Sequence, residues 1–148
     1  MTDDKFFDAV RRQFASAIPH AQECGLRITR LDASAAEAVL PYRPEWLGDP
    51  ERGLIHTGVI TTLVDTVAGL AAFVASGKYE PIATLDLRMD YLRPARPDKD
   101  LASRAECYRL TRSIAFVRAT VWQDDEAEPV AASQATFMRS PHSGRKPK

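Results

Sequence analysis

The spacing of apolar positions changes period twice along the chain. Phe6, Phe7, Val10 and Phe14 recur at helical spacing, with Asp3 or Asp4 ahead of them as a candidate cap and Pro19 as a stop. Two strand-like runs follow, LRITRLD and EAVLPY, joined by an alanine-rich turn as a hairpin. RPEWLGDPERG, dense in proline, glycine and charge, reads as a loop. From Thr57 to about Ser76 there is no proline, and Val59, Ile60, Leu63, Val64, Val67, Leu70, Ala71, Phe73 and Val74 cover most of a helical wheel. After Pro81 the period becomes two: Ala83, Leu85, Leu87, Met89 and Tyr91 alternate with Thr84, Asp86, Arg88 and Asp90, which predicts a strand with one buried face. Residues 101–110 and 113–123 predict two more strands, closed by a tight turn near Thr111 and Arg112. In the second of these, Ala115, Val117, Ala119 and Val121 share one face, small enough to let a helix lie close. DDEAEP is a hairpin loop and Val130 to Met138 the last strand. Residues 139–148, RSPHSGRKPK, are expected to be a disordered basic tail.

A helix apolar nearly all round must be buried. About 18 residues is the lower limit for a membrane span, and this stretch carries Asp65 near its middle together with four threonines. A core helix wrapped by a sheet is the better reading. The order is helix, hairpin, buried helix and four strands on short turns. It predicts an α+β architecture, an antiparallel sheet wrapped around a long central helix at about residues 57–76. One domain is expected over residues 1–138, with residues 1–20 a helical extension of it.

The formal net charge over 148 residues is zero, which argues against nucleic acid or an anionic membrane as partner. Cys24 and Cys107 show neither metal-ligand spacing nor a disulfide framework. The N-terminal stretch MTDDKFFDAVRRQF lacks the apolar run of a signal peptide. A cytoplasmic protein without metal or redox cofactor is the expectation.

Two features of the central helix can carry chemistry. Gly58, Thr61, Thr62, Asp65 and Gly69 recur at three- and four-residue steps, a face of small residues around a single carboxylate. An aspartate in the middle of an apolar helix is costly in propensity and in desolvation, which favours a functional Asp65 over one that only fixes packing. Hydroxyls at Thr61, Thr62 and Thr84 are candidates to hydrogen-bond it. At the helix start, the Thr57 and Gly58 amides lack intrahelical partners and sit at the positive end of the dipole, where they can polarise a carbonyl oxygen. Thr57 and Asp65 are eight residues apart, roughly 12 Å along one helix. They cannot serve one carbonyl, because an attacking group must lie roughly 3 Å from its carbon. If both are catalytic, the amides of one subunit face Asp65 of another, and the protein is a dimer with paired central helices.

GLIHTGVITTLVDTVAGLAA resembles the H-G-G-x-x-x-x-x-x-D segment of hotdog-fold acyl-CoA thioesterases of the PaaI-like group, and TLDLRMDYLRPA resembles the strand and turn downstream. The similarity spans about residues 24–138, including the nine-residue interval from His56 to Asp65. It implies a hotdog fold, acyl-CoA as substrate with an aromatic or short- to medium-chain acyl group, and a homodimer or homotetramer. By the same resemblance Asp65 is nucleophile or general base, the Thr57 amide polarises the thioester carbonyl, the Thr84 hydroxyl helps place water, and His56 bonds the loop backbone at the helix start. Two departures stand out. Thr57 replaces the first glycine of the segment, and Asp49 and Pro50 occupy the region where many members carry an amide side chain. Asp49 is therefore assigned a supporting role. Arg88, Arg93 and Arg112 are candidates for coenzyme A phosphates. Two other classes stay open. A hotdog hydratase or dehydratase would use His56 as base, and a non-catalytic acyl-CoA-binding protein would fit the missing loop amide.

Overall fold

A computed structural model describes residues 2–140 of the chain. The N-terminal apolar stripe forms α1 (Thr2–Ala17), which begins ahead of both candidate caps, so Asp3 and Asp4 stand in its first turn. The Asp4 carboxylate there still favours the helix through the positive end of its dipole. Pro19 stops α1 as expected. It also opens a short second helix, α2 (Pro19–Glu23), which the apolar pattern does not reveal; proline's fixed φ and missing N–H suit the first helical position.

The expected hairpin is β1 (Arg27–Leu31) paired antiparallel with β2 (Ala36–Leu40). Asp32 fastens its turn: one carboxylate oxygen accepts from the Ser34 amide at 2.8 Å and the Ala35 amide at 3.1 Å, the other from the Arg30 guanidinium at 2.7 Å. The Ser34 hydroxyl also donates to it, and these donors hold the carboxyl well below the usual carboxylate range. A depressed folded value means stability that is present above the unfolded aspartate value, near pH 4, and is lost as pH falls toward the folded value. With the side chain 40% exposed, solvent screens the effect. Asp32→Asn is expected to cost about 1 kcal/mol at pH 7. Urea denaturation of both proteins at several pH values checks this: the gap should narrow below about pH 4.

The loop at 43–53 is more ordered than its composition suggests. Pro44–Trp46 form a 3₁₀ turn, and β3 (Leu47–Asp49) pairs antiparallel with β4 (Leu54–Ile55). This small hairpin leads directly into α3 (Thr57–Ala75), the central helix. Gly77, at φ +65°, ends it in the left-handed conformation that glycine adopts most readily.

The remaining strands are β5 (Ile82–Tyr91), β6 (Leu101–Leu110), β7 (Ile114–Trp122) and β8 (Ala131–Arg139). They complete a six-stranded antiparallel sheet in the order β1-β2-β6-β7-β8-β5. α3 packs against β2, β5, β6, β7 and β8. Alanines at positions 36, 38, 105, 115, 119, 131 and 135 line the buried face, leaving room for Ile60, Leu63, Val64 and Val67 of the helix, all buried. By length and hydropathy α3 could span a membrane, yet here it is the core that the sheet wraps, the hotdog arrangement.

One expectation about this sheet fails. The alternation from Ala83 to Tyr91 does not run unbroken, because a β-bulge lies between Thr84 and Asp86. A bulge adds one residue and shifts every later side chain to the other face. Leu87 and Met89 pack on the core as expected, but Ala83 is exposed and Leu85 is left 55% exposed. Ile82 and Thr84 take the inward positions instead, lining the cleft beside α3. Arg139 belongs to β8 rather than to a tail, its guanidinium 2.8 Å from Glu80. The rest of the expected basic tail, residues 141–148, lies outside the described residues.

Candidate active site

α3 begins at His56, which is its N-cap. The His56 ring Nδ1 accepts from the Gly58 amide at 2.9 Å, and the His56 amide donates to the Trp46 carbonyl at 2.8 Å. An Nδ1 that accepts carries no proton, so in the neutral ring the proton sits on Nε2. His56 thus caps the helix start through its ring nitrogen. It also removes one of the two amides assigned to carbonyl polarisation: Gly58 N–H is already used. Thr57 N–H, at the first helical position, donates to no acceptor among the described residues.

Two glycines make this arrangement possible. A Cβ on Gly58 would lie 2.9 Å from His56 Nδ1, and one on Gly48 would lie 3.0 Å from His56 Cα and Cβ. Gly48 has no local sequence signal, because its role comes from the β3–β4 hairpin folding back onto His56. Gly58→Ala is expected to push the ring off its bond, weaken the cap by about 1 kcal/mol and lower kcat about tenfold by shifting the Thr57 amide. Steady-state kinetics beside a thermal melt would check both.

Asp65, two turns further on, is half-buried in the single chain and makes no ion pair among the described residues. The Thr84 hydroxyl donates to its Oδ1 at 2.9 Å. The other candidate hydroxyls do not reach it: Thr61 and Thr62 donate back to the carbonyls of Thr57 and Gly58, as does Thr66 to that of Thr62. Thr84 is therefore the group that orients the carboxylate, and the bulge after it is what turns it inward. Oδ2 accepts no hydrogen bond among the described residues. Tyr91, not singled out by the sequence, bridges strand to helix, its hydroxyl 2.7 Å from the Thr61 hydroxyl and 3.4 Å from the Thr57 carbonyl.

Asp65 and Thr84 share a cleft of about 380 Å³ with Val10, Phe14, Leu70 and Phe73. It is mostly apolar, with a carboxylate at one end. Asp49 faces its own turn: its carboxylate accepts from the Arg52 amide at 3.0 Å and lies 3.6 Å from the Arg52 guanidinium. The three arginines do not converge within one chain. Arg88 pairs with Asp90 at 3.2 Å and lines a charged groove of about 600 Å³ with Arg104, Glu106 and Arg118. Arg93 follows β5 at the end where α3 begins and pairs with Glu128 at 3.4 Å. Arg112 lies at the other end of the sheet, beside Arg139, roughly 30 Å away along a strand of this length. Among the described residues no three His, Cys, Asp or Glu side chains come together as a metal site.

The chain's resemblance to known proteins follows the same lines. A family model described as the thioesterase superfamily matches residues 52–130, from the loop before α3 to the start of β8. The medium/long-chain acyl-CoA thioesterase YigI of Salmonella typhimurium is 26% identical, over 93% of this chain and 96% of its own. A Pseudomonas aeruginosa protein of known structure is 41% identical, over 91% of this chain and 99% of its own, with a TM-score of 0.80. A thioesterase from Haemophilus influenzae, 21% identical over 94% of both chains, has the same fold with a TM-score of 0.77.

Proposed function

The chain belongs to the thioesterase superfamily, and on that premise we propose that it hydrolyses acyl-CoA thioesters at a site completed by two copies of the chain. The observation that carries the reading is Asp65, held by Thr84 at the mouth of an apolar cleft, with a free helix amide on the same α3 surface. Within one helix that amide is roughly 12 Å from Asp65, too far for one carbonyl. The surface between them supports the paired arrangement. Thr57 and Gly58 are exposed and Thr61, Thr62 and Asp65 only half-buried in the single chain. Next to them β5 is an edge strand with Leu85 and Tyr91 exposed. Unpaired edges and part-exposed helix faces are what a second copy covers.

In the proposed reaction the Thr57 N–H of one chain donates to the thioester oxygen, aided by the helix dipole. Asp65 of the partner chain takes a proton from water as hydroxide adds to the carbonyl carbon, or adds to that carbon itself and forms an anhydride that water then opens. The carbon–sulfur bond breaks, the acid leaves, and the thiolate takes up the proton. Among the expected acyl groups a medium-length aliphatic chain suits the cleft best, and the Salmonella relative is named for medium and long chains. The hydratase reading needs His56 as base, and its Nδ1 is occupied by the Gly58 amide. A cytoplasmic homodimer or dimer of dimers, with no cofactor beyond the coenzyme A of the substrate, belongs to the same proposal. Release of free thiol from saturated and aromatic acyl-CoA esters is the test. Turnover is expected, and binding without thiol release would move the non-catalytic reading ahead.

A further inference from the structure

We propose that the cleft beside Asp65 is an acyl-chain compartment whose length is set by an aromatic stop formed by Phe73, Tyr79 and Phe6. The inference rests on the thioesterase reading for the identity of its ligand. The cleft runs along α3 past Asp65, Thr66, Gly69, Leu70 and Phe73. Ile82 and Phe137 of the sheet form one wall, and Val10, Phe14 and Ala17 of α1 form the other. The apolar stripe of α1, otherwise only a helical extension, thus encloses the space in which a chain attached at Asp65 would lie. Gly69 keeps it open one turn beyond the carboxylate, with no side chain between α3 and Phe137.

Phe73 and Tyr79 line the far end, and Phe6 packs against both. Phe73 stacks on Phe6 with centroids 6.3 Å apart, and Tyr79 meets Phe6 edge-on at 5.2 Å and Phe73 at 5.9 Å. They come from α3, α1 and the segment after α3, so the stop ties the extension to the core. Asp65 and Phe73 are eight residues apart, roughly 12 Å of helix. A zigzag of carbon–carbon bonds about 1.5 Å long fills that span with roughly eight to ten carbons.

Binding of saturated acyl-CoA esters from acetyl to palmitoyl, measured calorimetrically in the Asp65→Asn protein, tests the stop with turnover slowed at least a hundredfold. Affinity is expected to rise about fourfold per methylene up to roughly eight to ten carbons, then level off. Adding Phe73→Ala should move that break at least two carbons longer. Gly69→Ala is a second variant that should fold, since its Cβ would sit 3.5 Å from Phe137 and 3.7 Å from Ile82, ordinary contact distances, and alanine suits a helix better than glycine. It should weaken octanoyl-CoA at least threefold relative to acetyl-CoA. Affinity indifferent to chain length, or a break that stays put in the Phe73 variant, would overturn the proposal. A moving break in a protein whose wild type releases no thiol would support the compartment and sink the hydrolytic reading. Hydrolysis with a fixed break would do the reverse.

Discussion

Asp65→Asn is expected to lower kcat between a hundredfold and ten-thousandfold, the usual worth of a general base or a carboxylate nucleophile. Asparagine keeps the shape, and its side-chain carbonyl still accepts from Thr84, whose hydroxyl lies 2.9 Å from Oδ1. What disappears is the negative oxygen to which the proposed reaction assigns the water proton or the attack. Among the described residues no other carboxylate lines the cleft to stand in for it. Binding should survive, because the apolar lining is untouched, so KM should change far less than kcat. Free-thiol release in the steady state, beside a mass measurement confirming an unchanged oligomer, checks this. A variant within tenfold of wild type would move the chemistry elsewhere.

Thr57→Pro is expected to cost a hundredfold to a thousandfold in kcat, the range for losing one oxyanion donor. A backbone donor cannot ordinarily be deleted without breaking its element, but this one can. Thr57 is the first residue of α3 after the cap, the position where proline is best tolerated. His56 already has φ −62° and ψ 130°, the extended backbone that a following proline requires. The Thr57 amide donates to nothing among the described residues, so no internal bond is lost. The melting temperature should therefore hold within a few degrees. Thr57→Ala, which keeps the amide, should retain most of the activity.

The fold was largely legible because its strongest signal is also its organising element. Twelve apolar positions on a 19-residue helix with one carboxylate admit few arrangements other than a sheet wrapped around it. The alanine-rich faces of the strands agree with that reading. What escaped was set by single residues acting across the chain. The bulge after Thr84 leaves no mark on composition, since Leu85 looks as apolar as its neighbours, yet it decides which hydroxyl meets Asp65. Thr61 and Thr62 share the right helix face, but a threonine in a helix can bond the carbonyl one turn back, and both do. The His56 bond to Gly58 was legible only as a resemblance, and its consequence, leaving Thr57 as the free amide, needed coordinates. The aromatic stop depends on α1 folding over the C-terminal half of α3, a long-range contact no local pattern encodes.

The composite site is tested most directly by mixing two dead proteins. Asp65→Asn and Thr57→Pro chains, co-refolded in equal amounts, form mixed dimers in which one site pairs an intact Thr57 amide with an intact Asp65 and the other pairs both lesions. With half the dimers mixed and one working site in each, activity should recover to about a quarter of wild type. No recovery, from a mixture shown by mass spectrometry to contain the mixed dimer, would contradict a site shared between two chains.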